Sequence, residues 1–455
     1  MSTALTRLRV WLDREPVGHL AHDGVGSRFS FDYLPSWAGR ATAFPISPRL
    51  PLQTPADQSP DAHSTDVRLF FENLLPEGDA LDHAAQANGI SRANVFGLVL
   101  ALGRETAGAL RVDLVSDDGD GAAAPSIAPA PALRLVTPRQ LSDRLRERDQ
   151  LPFSVWDGRV RLSIAGYQDK IAVYERDGAW YLVDGPDLAS TVIVKPAPQR
   201  ARLASLPANE HLCMQLARRV GVAAADTRLV HVPEPVLLVQ RFDRVERGGR
   251  VQRLHLIDGC QALGLPPWMK YERPHGDAPD VRNIRDGASL PRLFEVLAMS
   301  PTPARDRLAL LRWTILQVLL GNADAHAKNL SFFCDVAGLA LAPAYDLVCM
   351  PALGDERLSD SFAMAIGDAF SAAELTPFEW ASFAAACGLP IKLVARELAK
   401  LATGLAQQLP GLAALAAEDG IESAVAQGIA DVIEAQALRC LALAPRVAKV
   451  RPGDV

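Results

Sequence analysis

The stretch Gly321-Asn322-Ala323-Asp324-Ala325-His326-Ala327-Lys328-Asn329 lies between a strongly apolar segment, residues 304–320, and an apolar run that begins at Leu330. Small and polar residues between two apolar segments predict a loop at the edge of a buried core. Asp324 and Asn329 are five positions apart, which is the separation of the catalytic aspartate and the metal-binding asparagine in kinase catalytic loops. The alternative is that both residues only cap turns.

A second carboxylate follows this loop. Residues 330–334 and 339–341 are two short apolar runs around a turn, and Tyr345-Asp346 comes soon after them. The pattern predicts a hairpin that brings Asp346 back to the loop, where the metal-binding aspartate of such enzymes lies. The ordered set favours phosphoryl transfer over turn capping, with Asp324 as the base and Asn329 and Asp346 as oxygen ligands of Mg²⁺.

A lysine at the end of a β-branched run is the next candidate upstream. Thr191-Val192-Ile193-Val194-Lys195 predicts a strand that presents the Lys195 ammonium to nucleotide phosphates. The alternative is an ordinary solvated lysine. The helical segment 209–220 follows, and Glu210 near its start is a candidate ion-pair partner for Lys195, although the spacing alone leaves this pairing open.

Residues 162–170, with the sequence LSIAGYQDK, predict a turn between two strands that could bind phosphates through backbone amides. Ala165 and Gly166 at its centre are the candidate residues. A single glycine is also what any tight turn requires, so the turn alone does not decide the function. His326 in the later loop could orient Asp324 or a phosphate, although a lone histidine is more often structural.

The strand predicted at 236–240 ends in Gln240-Arg241-Phe242-Asp243-Arg244. This segment is a candidate hinge, in which backbone groups of Gln240 and Phe242 meet adenine and Asp243 takes a ribose hydroxyl. The alternative is a surface ion-pair cluster. Tyr345, directly before Asp346, completes the set of candidate nucleotide-binding residues.

Taken together, these motifs resemble the HipA family of bacterial toxin kinases. The segments that carry the resemblance are residues 71–76 (FENLLP), 162–170, 192–195, 240–244, 260–266 (CQALGLP), the Asp324 loop and Tyr345-Asp346. The resemblance implies an α+β fold with two lobes, similar to protein kinases and phosphatidylinositol kinases. A small N-terminal α+β subdomain and a mostly helical C-terminal lobe are part of that expectation.

The function implied by the resemblance is an ATP- and Mg²⁺-dependent serine/threonine protein kinase, the toxin of a type II toxin–antitoxin pair. Its partners would be a HipB-like helix-turn-helix antitoxin, operator DNA mainly through that antitoxin, and a protein substrate such as an aminoacyl-tRNA synthetase. By matching motif, the implied site residues are Asp324 (catalytic), Asn329 and Asp346 (Mg²⁺), Lys195 (ATP phosphates), and Gln240, Phe242 and Asp243 (nucleotide site). Ser163 matches the family's autophosphorylated serine, whose modification displaces the phosphate-binding loop and inactivates the enzyme.

The chain divides into four predicted parts. Residues 1–115 alternate in the manner of strands and then show helical spacing, which predicts a small α+β unit. Residues 116–132 are acidic and then rich in Pro and Ala, which predicts a linker. Residues 133–245 would form a kinase N-lobe with the phosphate loop, the lysine strand and the hinge. Residues 246–455 would form a helical C-lobe.

Composition excludes several classes of protein. A chain of 455 residues with 49% apolar residues and a mean hydropathy of +0.07 predicts a folded protein with more than one packed unit. A net charge of −6 argues against DNA binding by this chain alone. Six scattered cysteines without a C-x-x-C pair fit a reducing cytoplasm. No apolar run approaches the ~20 residues that a membrane span needs.

Two other functions stay open at this point. A small-molecule or lipid kinase would use the same chemistry at Asp324, Asn329 and Asp346, although no basic membrane-binding face supports a lipid substrate. A catalytically silent corepressor would act only with the antitoxin and the operator. The presence of Lys195 together with Asp324, Asn329 and Asp346 argues against that role.

Overall fold

The computed structural model describes residues 6–24, 27–115, 132–157, 159–161, 168–185 and 187–451. Ser163, Ala165 and Gly166 lie outside the described residues, as does the predicted linker apart from Ala132.

The N-terminal unit, the described residues up to 115, is an antiparallel sheet of four strands packed with helices. Its elements are β1 (Thr6–Leu12), β2 (Glu15–Asp23), β3 (Arg28–Tyr33), α1 (Pro35–Ala38), α2 (Pro60–Glu72), α3 (Gly78–Asn88), α4 (Val95–Leu102) and β4 (Leu110–Leu114). The strand order is β3-β2-β1-β4. Leu8 and Val10 are fully buried because alternate residues of a strand share one face. Phe31 of β3 packs on Phe71 of α2, with ring centroids 5.9 Å apart.

The sheet lobe is a second antiparallel sheet, of six strands, with two helices. Its elements are β5 (Ala132–Val136), α5 (Pro138–Arg146), the short pair β6 (Val155–Trp156) and β7 (Arg159–Val160), β8 (Ile171–Arg176), β9 (Ala179–Asp184), β10 (Val192–Pro196), α6 (Leu206–Arg219), β11 (Thr227–His231) and β12 (Pro235–Gln240). The order of the six strands is β11-β12-β10-β8-β9-β5. β10, which carries Lys195, therefore lies in the interior of the sheet between β8 and β12.

The helical lobe contains the rest of the described chain. Its elements are β13 (Arg244–Arg247), β14 (Arg250–Arg253), β15 (Leu256–Asp258), α7 (Gly259–Leu263), α8 (Leu290–Val296), α9 (Pro303–Leu320), β16 (Ser331–Asp335), β17 (Gly338–Leu341), α10 (Pro377–Ala386), α11 (Ile391–Glu418) and α12 (Ser423–Val447). α9 is the central helix, since Leu310, Leu311 and Ile315 are fully buried. β15, β16 and β17 form a small sheet that flanks the loop after α9.

Within the described ranges, none of the helices is both long and apolar enough to cross a bilayer.

Candidate active site

The predicted catalytic loop begins where α9 ends. Gly321 ends the helix in the left-handed region, with φ of 65°, a conformation that glycine adopts at little cost. The Nδ2 of Asn322 then donates to the Oε1 of Gln317 at 2.8 Å, which ties the loop to the last turn of the helix. The Nδ2 of Asn329 donates to the backbone oxygen of Asp324 at 2.8 Å. The loop is therefore folded on itself, with Asp324 and Asn329 side by side.

Asp346 returns to this loop after the β16–β17 hairpin. Its backbone oxygen accepts a hydrogen bond of 3.2 Å from the Nδ2 of Asn322. The φ of Asp346 is 53°, in the left-handed region that residues other than glycine seldom occupy. Strained backbone of this kind concentrates at functional sites, where the surrounding structure holds it in place. The structure thus brings Asp346 beside the Asp324 loop, as the hairpin pattern predicts.

Lys195 joins the sheet lobe to Asp346. Its Nζ donates to the Oε1 of Glu210 at 2.8 Å and also to the carboxylate of Asp346. Burial raises the pKa of Glu210 to about 7. Burial opposes the charged form of Asp346 too, but Lys195 and Lys170 outweigh it and hold the pKa of Asp346 below its usual range. The ion pair that the sequence left open is therefore present.

A deep cleft lies between the two lobes and contains most of the predicted residues. Those that line it are Lys195, Gln240, Phe242, Asp243, His326, Asn329, Tyr345 and Asp346. Its apolar wall is formed by residues of both lobes, among them Ile193, Val239 and Ile257. The ring of Phe242 in this wall lies 5.9 Å from that of Phe333. The cleft thus has an apolar part suited to a nucleobase and a charged part suited to phosphates.

Asp324 is not among the residues that line this cleft, whereas its loop neighbours His326 and Asn329 are. The Asp324 side chain is 53% exposed. Desolvation by the surrounding protein nevertheless raises the pKa of its carboxyl. His326 is buried beside it, with Nε2 4.0 Å from the Oδ1 of Asp324. Burial lowers the pKa of His326 well below its usual value, so the imidazole is neutral at pH 7. At 4.0 Å the imidazole makes no hydrogen bond to Asp324, and in its neutral form it adds no positive charge for a phosphate.

Asp243 makes different contacts from those expected of a hinge residue. Its Oδ1 accepts from the Nε of Arg241 at 3.0 Å, and its Oδ2 accepts from Arg241, from Arg244 and from the N–H of Gly108, each at 2.8 Å. The alternative of an ion-pair cluster is right about the ion pairs and wrong about a surface location, because the Arg241 and Arg244 side chains are only 2% and 0% exposed. A ribose hydroxyl would have to share an oxygen that already accepts from arginine.

Tyr345 lines the cleft and contacts the Asp324 loop. Its hydroxyl is hydrogen-bonded to the Oγ of Ser331 at 2.7 Å and donates to the backbone oxygen of Lys328 at 2.8 Å. Its ring centroid lies 6.0 Å from that of Phe242. Tyr345 therefore links the apolar wall to the catalytic loop.

Two residues at the site were not singled out from the sequence. Lys170 lines the charged part of the cleft, is 5% exposed, and has its pKa lowered to about 8 by burial. Tyr271 donates its hydroxyl to the Oδ1 of Asp324 at 2.5 Å. Lys170 is the last residue of the segment 162–170, so it already belonged to a motif recognised from the sequence. Tyr271 follows the segment 260–266 by five residues, and its contact with Asp324 depends on the tertiary fold.

Asn329 and Asp346 fit a magnesium ion by their chemistry. The Nδ2 of Asn329 is used in the bond to Asp324, which leaves the amide oxygen as the ligand atom. Asp346 adds a carboxylate in the same cleft. Over the described ranges, no three His, Cys, Asp or Glu side chains are grouped to hold a metal by themselves. Mg²⁺ in phosphoryl-transfer enzymes is commonly held by one or two protein side chains together with substrate phosphates, which is what this pair can provide.

The fold and the site define a two-lobed, kinase-like α+β protein. The lysine–glutamate pair lies on the sheet lobe, and the Asp324 loop and Asp346 lie on the helical lobe. The chain belongs to the HipA family: residues 8–113 match the HipA N-terminal domain, and residues 162–409 match the HipA-like C-terminal domain. Both the α+β kinase-like fold and the HipA resemblance predicted from the sequence are confirmed.

Individual relatives match nearly the whole chain. The serine/threonine-protein kinase toxin HipA of Shewanella oneidensis is 34% identical over 413 residues, 90% of each chain. Y4mE of Sinorhizobium fredii is 34% identical over 439 residues, 94% of this chain and 97% of its own length. Among solved structures, the complex of Shewanella oneidensis HipA with HipB and operator DNA matches with a TM-score of 0.82 and 32% identity, covering 98% of this chain and all of that one.

Proposed function

We propose that this protein is an ATP- and Mg²⁺-dependent serine/threonine protein kinase and the toxin of a type II toxin–antitoxin pair. The observation that carries the proposal is the contact of Lys195 with both Glu210 and Asp346, beside a loop that holds Asp324 and Asn329 together. The Shewanella relative, named as a serine/threonine-protein kinase toxin, supports the same activity.

Phosphoryl transfer needs positioning and charge neutralisation more than covalent help from the protein. Lys195 and Lys170 provide positive charge for the phosphates, and the apolar wall with Phe242 holds the base. Asp324 orients the acceptor hydroxyl and takes its proton. The Tyr271 hydroxyl donates to the Oδ1 of Asp324. The Oδ2 makes no hydrogen bond to any described residue, so it can accept a hydrogen bond from the substrate hydroxyl.

Asn329 and Asp346 are the residues that would hold Mg²⁺ in this mechanism. The ion, when bound, neutralises charge on the phosphate oxygens. Asp346 also orients Lys195, so one carboxylate serves both the ion and the lysine. Loss of Asp346 is therefore expected to disturb two parts of the phosphate site.

Autophosphorylation at Ser163 is the proposed means of inactivation. Ser163 is seven residues before Lys170, in the segment expected to bind phosphates through Ala165 and Gly166. A phosphoserine adds nearly two negative charges at neutral pH. That charge would repel the nucleotide phosphates and favour displacement of the segment from the cleft.

The proposed partners follow from the family and from the Shewanella complex, which contains HipB and operator DNA. We propose a HipB-like helix-turn-helix antitoxin, operator DNA contacted mainly through it, and a cytoplasmic protein substrate such as an aminoacyl-tRNA synthetase. The net charge of −6 supports an indirect contact with DNA rather than a strong one by this chain.

The test is mass spectrometry of the intact protein and its peptides after incubation with Mg²⁺ and ATP, beside an Asp324→Asn protein from the same host. Phosphate on Ser163 in the wild type alone is the expected result. ATP binding without protein phosphorylation would favour a small-molecule kinase. Neither phosphorylation nor ATP binding would favour a silent corepressor and contradict the proposal.

A further inference from the structure

Lys270 and Tyr271 lie directly against the catalytic loop. The Tyr271 hydroxyl donates to the Oδ1 of Asp324 at 2.5 Å, a charge-assisted hydrogen bond to the proposed base. One residue earlier, the backbone oxygen of Lys270 accepts from the N–H of Ala327 at 3.1 Å. Two neighbouring residues therefore contact both halves of the loop, one by side chain and one by backbone.

The position of Tyr271 is fixed by its surroundings. Its ring packs edge-on against His326, with centroids 5.1 Å apart. Ala288 donates its N–H to the backbone oxygen of Met269 at 2.9 Å. At Gly287 any Cβ would lie only 1.8 Å from the backbone oxygen of Tyr271, so only glycine allows this approach. These contacts hold the backbone and ring of Tyr271 in place and direct its hydroxyl toward Asp324.

The N-terminal unit holds the same segment through Lys270. The Nζ of Lys270 donates to the Oε2 of Glu77 at 2.7 Å, and these side chains are 3% and 10% exposed. A parallel contact joins Asn73 to Lys328 of the catalytic loop at 2.9 Å. Glu77 and Asn73 also line the cleft itself. Side chains from the first 80 residues therefore reach the loop that carries Asp324.

We infer that Tyr271 is a positioning residue for Asp324 and that Glu77 contributes to the same positioning through Lys270. This inference rests on the proposed kinase function. A hydrogen bond to Oδ1 fixes the plane of the carboxylate, and so fixes where Oδ2 presents itself to the acceptor hydroxyl. Misplacement of a catalytic group by about 1 Å can cost about 10²-fold in rate. The N-terminal unit accordingly contributes to the positioning of the loop that carries Asp324.

The test compares Tyr271→Phe and Glu77→Gln with the wild type in steady-state phosphorylation. Tyr271→Phe keeps the ring that packs on His326 and removes only the hydroxyl. We expect its kcat to fall about 10- to 100-fold while the KM for ATP changes less than about twofold, because the lost interaction acts on Asp324 rather than on the nucleotide. Glu77→Gln should lower kcat in the same way and by a smaller factor, with Glu77→Asp partly restoring it.

Controls separate positioning from a purely structural role. Tyr181→Phe removes a tyrosine hydroxyl on β9, away from the cleft, and should leave kcat unchanged. The double variant Tyr271→Phe/Glu77→Gln should lose less than the product of the single losses, since both act on one carboxylate. ATP-binding stoichiometry is measured for each variant and should match the wild type, as should the thermal midpoint of Tyr271→Phe. Glu77→Gln breaks a buried ion pair, so its thermal midpoint should fall, and its kcat is measured well below that midpoint.

Three results would overturn the inference. The first is a kcat for Tyr271→Phe within twofold of an active wild type. The second is a loss of activity that follows entirely from fewer ATP-binding molecules or a lower thermal midpoint, which would mark a structural role. The third is a wild type that transfers no phosphate at all, in which case the proposed function itself has failed and the inference with it.

Discussion

The ammonium of Lys195 donates to the carboxylate of Glu210 at 2.8 Å, inside the cleft between the two lobes. Both side chains are almost fully buried, at 6% and 2% exposure. The pair joins the interior strand β10 to helix α6, and Lys195 in turn contacts Asp346 of the other lobe.

Replacing Lys195 by Met should abolish phosphate transfer, with a loss of more than about 10²-fold, because the phosphate cation and the partner of Asp346 disappear together. The protein should stay folded. Glu210, whose pKa is already about 7, can take up a proton and so avoid a buried unpaired charge. Phosphorylation assays and urea unfolding measure both effects. Lys400→Met, at an exposed lysine of α11, is the control, and wild-type activity in Lys195→Met would refute this role.

Lys170 should make ATP binding sensitive to alkaline pH. Burial lowers its pKa to about 8, so the side chain is mostly charged at pH 7 and mostly neutral at pH 9. The phosphate attraction therefore weakens as the pH rises through 8. We expect the affinity of the wild type for ATP to fall by up to about tenfold between pH 7 and 9. Lys170→Met should bind weakly at both pH values. Calorimetry measures the ATP affinity of both proteins at pH 7 and 9. An equal loss of affinity in the wild type and in Lys170→Met between these pH values would contradict the prediction.

Magnesium dependence should separate the two proposed ligands. Asn329→Ala should raise the Mg²⁺ concentration for half-maximal activity, since one ligand is lost and Asp346 remains. Asp346→Asn should eliminate activity at any Mg²⁺ concentration, because Lys195 loses its orientation as well. Chelation of Mg²⁺ should stop phosphate transfer by the wild type. A Mg²⁺ titration of each variant measures these effects, with Asp335→Asn at the exposed end of β16 as control. Unchanged titration curves would exclude both residues as ligands.

Glu105 should stabilise the junction between the N-terminal unit and the rest of the protein. Its carboxylate accepts from Arg253 at 2.8 Å and contacts Arg241 and Arg244 at 3.3 Å. Burial alone would raise its pKa, but the three arginines outweigh it and lower the pKa to about 2. Glu105→Gln should therefore reduce the free energy of unfolding by about 3 kcal/mol at pH 7.

The sign of the pH dependence follows from the lowered pKa of Glu105. Its stabilising contribution is complete above the unfolded value of 4.5 and is lost as the pH falls toward 2. The difference between Glu105→Gln and the wild type should thus be smaller at pH 3 than at pH 7. Glu147→Gln, which removes an exposed partner of Arg144, should change stability by less than about 1 kcal/mol. A difference for Glu105→Gln that grows on acidification would refute the assignment.

The parts of the site that are close in sequence could be predicted from it. The loop from Asp324 to Asn329 follows a helix that ends at a glycine and precedes a hairpin that returns Asp346, so local spacing determines their proximity. Lys195 is at the end of a β-branched strand for the same local reason. The strands and helices of the N-terminal unit also follow from simple periodicity.

Contacts between distant segments could not be predicted in this way. Tyr271 reaches Asp324 across 53 positions, and Asp243 meets the N–H of Gly108 across 135. The ion-pair alternative at Arg241-Phe242-Asp243-Arg244 anticipated the chemistry but not the burial, because burial depends on the N-terminal unit packing over that segment. A run of charged residues in a sequence predicts an exposed segment. The sequence alone does not show that a second unit covers it.

The N-terminal unit contacts both lobes at once. Glu105 binds Arg241 at the end of β12, whereas Glu77 binds Lys270 of the helical lobe. A wide swing of the lobes would separate at least one of these buried ion pairs. The N-terminal unit thus restrains the two lobes relative to each other. Exchange of spent for fresh nucleotide is therefore expected to proceed with the lobes held together.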